Sequence, residues 1–418
     1  MTRCTIHEAT VAGWMKVAIE SNPSAKVASL VWLLPVGYAG DPIGDAGAGE
    51  AAVLHDLILR GAGSRDSRAF SEALDRLGVR RATSSSGYHI TISAACLVDA
   101  LDEAFPIIAS MVTAPRIEAE SLEASRELAL QSLRSIRDDP QHFAMTKAAE
   151  HALPAPFNAH GLGTEGGLAS LTVEQLRATW KRRARPKGSM LGIAGGVDPA
   201  RVLALLEKSL DGWVGESVEA QVTSPPLRGT VRENLPASQT SMALVYDAPR
   251  DSDTERVVHR LAVRILGGAG MSNRLFTEVR EKRGLCYSVG MAYSAGRDRG
   301  IMQAFAGSTP ERAPETLACM RAEISKMAEG VSVEEFNRGV VGLKSGIVMG
   351  GESTHARASA IASDLFRTGR ARGLDEIAAE VDRLTHKGLN AHVSRAFGAD
   401  VLARETLAVV GPQPHVAV

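Results

Sequence analysis

Cysteine is scarce in this chain, with four among 418 residues. Cys4, Cys96, Cys286 and Cys319 form no CxxC pair, and their spacing excludes the common zinc motifs and a dense disulfide framework. Reduced, mostly buried thiols are the expectation. An excess of either charge is also missing. The formal net charge is -1, which implies no global pull toward nucleic acid or a membrane surface. No apolar run approaches the roughly 18 residues that mark a membrane-crossing helix. The N-terminus, MTRCTIHEATVAGWMKVAIE, has no basic segment leading into an apolar stretch, so it does not read as a secretory signal. Glu8 and Glu20 argue against a transit peptide. A cytoplasmic location is expected. Aromatics make up only 4%, while Ala, Gly and Arg abound; that is a bias of composition, not a pointer to chemistry.

What is present is an ordinary globular composition, 44% hydrophobic and 23% charged. The chain is too long for one core and suits two domains of roughly 200 residues, or four smaller units. In the first half, Val27–Pro35 reads as a buried strand. Glu50–Leu59 and Ser67–Leu77 read as helices, the second with Ser67 as its cap. Tyr88–Ala94 alternates like a half-buried strand. Ala100–Val112, Ile117–Arg137 and Leu171–Ala184 read as further helices, with Pro140 ending the second. Met190–Ala194 reads as a strand. Residues 216–238 carry Pro225, Pro226 and Pro236 with weak periodicity and read as a linker. The plan then repeats, with a strand at Ser241–Tyr246 and a helix at Thr254–Leu266. Gly61-Ala62-Gly63 recurs as Gly268-Ala269-Gly270, which supports duplication. The expected domains are 1–215 and 239–418.

The most informative stretch is GAGMSNRLFTEVREKRGLCYSVG, residues 268–290. It opens on a glycine turn, continues as an amphipathic segment carrying Arg280, breaks at Gly284 and delivers Tyr287 to a β-like run. Arginine and tyrosine suit hydrogen-bond donation to an oxyanion. On a continuous helix they would stand about 10 Å apart, too far to address one atom. The break at Gly284 lets the chain turn so that they can converge. The bland reading of Arg280 is a solvated helix arginine, and of Tyr287 an ordinary strand aromatic. The glycines 267, 268 and 270 do not complete a phosphate loop and read as a flexible turn. The basic run 181–185 reads as a solvated helix C-terminus.

The chain resembles the pitrilysin and insulinase (M16) family of zinc peptidases, and in particular the bacterial members related to mitochondrial processing peptidase subunits. LGGAGMSNRLFTEVREKRGLCYSV is similar to the family's LGGGxxSRLFxxxREKxGLxYSV signature. GEAAVLHDLILRG, residues 49–61, sits where the family has its metal-binding helix. Asp138-Asp139-Pro140 and Phe157–Gly161 resemble further family landmarks. The resemblance implies an α+β fold of two homologous α/β-sandwich domains, of the mitochondrial processing peptidase-like LuxS/M16 metalloenzyme type, forming half of a clam-shell chamber. A catalytic zinc needs about three protein ligands and an open position. Here the first histidine position is Ala52, the base position is His55, the second histidine position is Asp56 and the distal glutamate position is Ser132. No zinc is expected in this chain, and no other cofactor. The bland reading of His55 is a partly exposed helix histidine. Nothing in the spacing demands a rebuilt site combining it with His89 or His151.

By the same resemblance, Arg280 and Tyr287 match the pair that lies across from zinc in active members. The resemblance thus implies the non-zinc subunit of a heterodimeric peptidase. Its partner would carry an intact HxxEH helix and the zinc, and its substrate would be a peptide. Two alternatives stand beside this. One is a structural or peptide-binding subunit without catalytic role. The other is a subunit of a protease that processes the pyrroloquinoline quinone precursor peptide. Neither nucleic acid nor a membrane is an expected partner.

Overall fold

The computed structural model describes residues 4–412. The chain forms two compact units, each discontinuous in sequence. The first takes the chain up to Arg134, then Gly161–Thr223 and Met349–Leu374. The second takes Ser135–His160, Ser224–Val348 and the chain from Asp375 onward. Contiguous halves, as read from the sequence, therefore differ from the compact units. Among the described residues no helix is long and apolar enough to cross a membrane.

The first unit is built on strands β1 (Thr5–Val11), β2 (Met15–Ser21), β3 (Val27–Leu34), β4 (Arg80–Ser85), β5 (Ile90–Leu97) and β6 (Met190–Gly195), in the order β1-β2-β6-β3-β5-β4. The pair β2–β6 is parallel and the other neighbours are antiparallel. β3 is apolar on both faces because both are covered. Leu30, Trp32 and Leu34 enter the main core. Val31 and Leu33 meet Ala358 and Ala362 of the helix Thr354–Thr368. That helix comes from far along the chain and seats over Gly192, where an added Cβ would lie 2.2 Å from the Ala358 carbonyl oxygen. Two buried ion pairs fasten the segment. Arg357 bonds Glu20, with its Nε 2.9 Å from Oε2, and Arg372 bonds Asp364, Nη2 to Oδ1 at 2.5 Å.

The second unit is built on β7 (Gly229–Glu233), β8 (Thr240–Ala248), β9 (Ser288–Ala295), β10 (Gly300–Ser308) and β11 (Thr406–Val410), in the order β7-β11-β8-β10-β9. Only β7–β11 is parallel. This order repeats β2-β6-β3-β5-β4 strand for strand, with the same parallel pair, so the duplication extends to the topology. β7 lies inside the stretch read as linker, which is thus partly sheet. The helix Pro140–Ala152 packs against β8 and β11, with Asp139 capping it and Pro140 at its start. The preceding helix stops at Ser135 and a 3-10 turn, Ile136–Asp138, follows it; Pro140 begins the next helix, because proline needs no N–H partner in a first turn.

Smaller differences from the sequence reading have local causes. Asp66, not Ser67, caps the second helix: its carboxylate accepts the Ala69 N–H at 2.8 Å. Of the four cysteines only Cys96 is buried, and Cys4 is exposed. Arg183 is buried rather than solvated. It pairs with Asp41 at 3.1 Å and donates to the Gly37 carbonyl.

Candidate functional site

The helix Glu50–Leu57 follows β3 and carries three of the four positions where the family's metal site is expected. Ala52 is 3% exposed and packs in the main core, with no donor atom to offer. His55 and Asp56 diverge, as neighbours on a helix must. His55 turns toward β4, its Nδ1 3.4 Å from the Thr83 hydroxyl, and Thr83 donates to the His55 carbonyl at 2.7 Å. Burial pushes the His55 imidazole below its usual range, against the pull of Asp56. Asp56 turns to the helix Ala119–Ser135. Its Oδ2 accepts Arg60 Nε at 2.6 Å and the buried Ser125 hydroxyl at 2.5 Å. Ser132 donates to the Leu128 carbonyl one turn back, at 2.9 Å.

These side chains do not fit a zinc ion. One position lacks a ligand atom, and the carboxylate next to it is committed to a guanidinium and a hydroxyl. Among the described residues no group of three or more His, Cys, Asp and Glu side chains is placed to hold a metal. His89, weighed above as an alternative ligand, packs edge-on against Phe366 at 4.4 Å between centroids. Arg60 stands one helical turn after Asp56, a spacing the sequence shows, but Ser125, which completes the network, carried no signal. A buried serine one helix away is visible only once the helices pack.

The second unit places the signature residues differently. The helix Arg256–Gly267 runs onto β9 so closely that a Cβ on Gly267 would lie 2.8 Å from the Met291 nitrogen. Gly267 is therefore a packing requirement, not only part of a turn. Buried Asn273 then fastens the turn: its amide donates to the Gly268 and Gly270 carbonyls, both at 2.8 Å, and its carbonyl accepts the Phe276 N–H at 2.8 Å. Sequence reasoning passed over this residue, although asparagine after a glycine turn is a recognised cap. Arg274 locks the next turn onto Glu335 at 2.6 Å and the Gly330 carbonyl at 2.9 Å.

Residues Phe276–Glu281 form a π-helix rather than the expected α-helical segment. Lys282 N–H bonds the Thr277 carbonyl five residues back at 3.0 Å. Such widened turns recur at functional sites. Gly284 then adopts φ 59°, the left-handed conformation that glycine takes without strain. Arg312 holds this turn through the Gly284 carbonyl at 2.7 Å. The chain reverses, and Arg280 and Tyr287 converge. The Arg280 Cζ lies 4.8 Å from the Tyr287 ring centroid and 4.7 Å from that of Phe276. Tyr287 is 77% exposed.

Residues 16–162 match the family described as Insulinase (Peptidase family M16), and residues 170–343 match the one described as Peptidase M16 inactive domain. The chain belongs to peptidase family M16. An uncharacterised zinc protease of Streptomyces coelicolor is 28% identical over 425 residues, covering 98% of this chain and 90% of that protein. Another, from Mycobacterium leprae, is 26% identical over 413 residues, covering 94% and 90%. A crystal structure of a peptidase M16 inactive domain from Pseudomonas fluorescens superimposes with a TM-score of 0.89 at 20% identity, covering 98% of each chain. A protease from Helicobacter pylori superimposes with a TM-score of 0.86 at 17% identity, covering 98% of this chain and 100% of that one.

Within the M16 family, the substituted helix is the decisive local feature. The inactive-domain match covers residues 170–343, and the structural neighbours share the fold. Water activation by a metal needs ligands that Ala52, Asp56 and Ser132 do not supply.

Proposed function

We propose that this chain is the non-zinc subunit of a two-chain M16 metallopeptidase. In this reading a partner with an intact HxxEH helix holds the zinc and activates the attacking water. This chain contributes Arg280 and Tyr287, which hold the substrate carbonyl and stabilise the oxyanion during peptide hydrolysis. The observation that carries the reading is the state of Arg280. Its guanidinium makes no hydrogen bond or ion pair with any described residue, and it lies 4.8 Å from the ring centroid of the exposed Tyr287. A permanently charged group without an internal partner is suited to a developing negative charge.

The test has two steps. Affinity purification from the native host should recover a near one-to-one partner bearing HxxEH. In the reconstituted complex, Tyr287→Phe should then lower kcat by roughly 100-fold, as loss of one oxyanion donor does. Unchanged turnover in a folded variant would remove the transition-state role. Recovery of the chain alone, or with an unrelated assembly, would favour the structural or peptide-binding role instead.

A further inference from the structure

Arg280 differs from every other basic side chain in its segment. Arg274 is held by Glu335 through two nitrogens, at 2.6 and 2.9 Å. Lys282 and Arg283 share Glu278, at 2.6 and 2.9 Å. Glu278 is thus spent on its neighbours, and Arg280 is left with no carboxylate among the described residues. Two aromatic rings approach its guanidinium instead.

An unpaired arginine on a surface samples many rotamers and must be ordered when it binds. Aromatic faces attract a guanidinium without using its hydrogen-bond donors, since the attraction is to the ring quadrupole. A carboxylate would order the side chain equally well but would consume the donors and neutralise the charge. Rings hold the group and leave its edge free. Tyr287 is one such ring, already implicated as a donor in its own right. Phe276 is the other, and it has no polar atom with which to touch a substrate.

We propose that Phe276 is a positioning residue, which holds the Arg280 guanidinium so that its N–H edge stands ready for a carbonyl or carboxylate oxygen. Two features fix the backbone that carries the ring. The Phe276 N–H is capped by Asn273, and the π-helical register sets Arg280 one turn after Phe276. The receptor is then complete before any ligand arrives. Its catalytic consequence rests on the peptidase reading above, whereas the ordering of Arg280 is a property of this chain alone.

Two measurements test it. The first uses the full chain by itself, labelled on arginine with ¹⁵N and ¹³C. The Arg280 Nε–H resonance, assigned by its loss in Arg280→Lys, should be displaced by the ring currents of its neighbours. In Phe276→Leu it should move toward the position of a free arginine, and in Phe276→Tyr it should stay. An Arg280 signal that is the same in Phe276→Leu and wild type overturns the proposal. The second uses the complex with the partner. Phe276→Leu should lower kcat/KM roughly fivefold, as loss of one cation–π contact does, with Phe276→Tyr restoring it. The thermal midpoint of each variant, recorded alongside, identifies any that lose activity by unfolding. If Arg280→Lys and Tyr287→Phe impair the complex while folded Phe276→Leu does not, the positioning role is overturned and the peptidase reading stands. If none of the three matters, both fall.

Discussion

Acid should loosen the second unit at one buried pair of histidines. His259, on the helix Arg256–Gly267, and His392, on the helix His386–Ala396, are both buried, with Nδ1 of the first 3.0 Å from Nε2 of the second. One nitrogen donates and the other accepts, so the accepting ring must be neutral and the two rings cannot both carry a charge. His259 lies parallel to Phe397 at 5.9 Å and edge-on to Tyr293 at 4.8 Å. On the far side, His392 Nδ1 stands 3.4 Å from Glu255, which is also paired with Arg395 at 2.7 Å. Burial, and then the facing His392, push His259 down to about 3, with Glu255 opposing. Burial lowers His392 as well, again against Glu255. An unfolded histidine titrates near 6.5, so the unfolded chain takes up the proton more readily than the folded unit. The contribution of the pair is therefore intact above about pH 6.5 and is lost as the pH falls toward 3.

For His259 alone, moving from about pH 7.5 to about pH 5 costs about 2 kcal/mol, a sizeable part of the roughly 5–15 kcal/mol that holds a domain folded. Hydrogen exchange of the two helices, corrected for intrinsic rates, measures this locally. The control is His259→Phe, which keeps the ring contacts and removes the titrating group. It strands His392 Nε2 and should be less stable by about 1–3 kcal/mol at neutral pH, but its protection should respond less to acid. Protection that is unchanged across the pH range in wild type, or as acid-sensitive in the variant, would refute the reasoning.

Three further outcomes are expected. Arg357→Met leaves the Glu20 carboxylate buried and unpaired, and should cost the first unit about 3–5 kcal/mol in urea denaturation, with much of it recovered in the double variant with Glu20→Gln. A loss no larger than that of an exposed pair would contradict the buried geometry. Gly267→Ala forces a Cβ within 2.8 Å of the Met291 nitrogen and 2.7 Å of Leu275 Cδ1. It should lower stability by about 1–3 kcal/mol in calorimetry or denaturation, and equal stability would deny the close seating of that helix on β9. Ala52→His overpacks a core position by about 1–3 kcal/mol and should bring neither zinc uptake nor turnover, because Asp56 and Ser132 are unchanged. Stoichiometric zinc in equilibrium dialysis would overturn this.

Much of the candidate site was legible because its signals are local. Gly284 before Tyr287 is a short-range backbone instruction, and it permits the turn that brings Arg280 and Tyr287 together. The π-helical register was not legible, because the spacing of apolar residues does not distinguish it from an α-helix over so short a segment. Nor was the pairing of Asp56 with Ser125, since the serine stands on another helix. Arg183 was misread for the same reason. Positive charge suits a helix end, and only packing reveals that Asp41 waits there to receive it.

The sequence by itself determined the chemistry that each position can offer. Ala52 has no ligand atom, Arg280 is always charged, and the run around Trp32 is too apolar to face water. Periodicity and turn residues determined where the strands and helices read above begin and end, to within a few residues, because those preferences act locally. The tertiary structure alone decided which helix covers the second face of each sheet. The segment Met349–Leu374 joins the first unit and Ser135–His160 the second, against the order of the chain. Burial of an apolar face and of the Glu20–Arg357 pair depends on partners distant in sequence, and no local pattern records which distant partner a surface will meet.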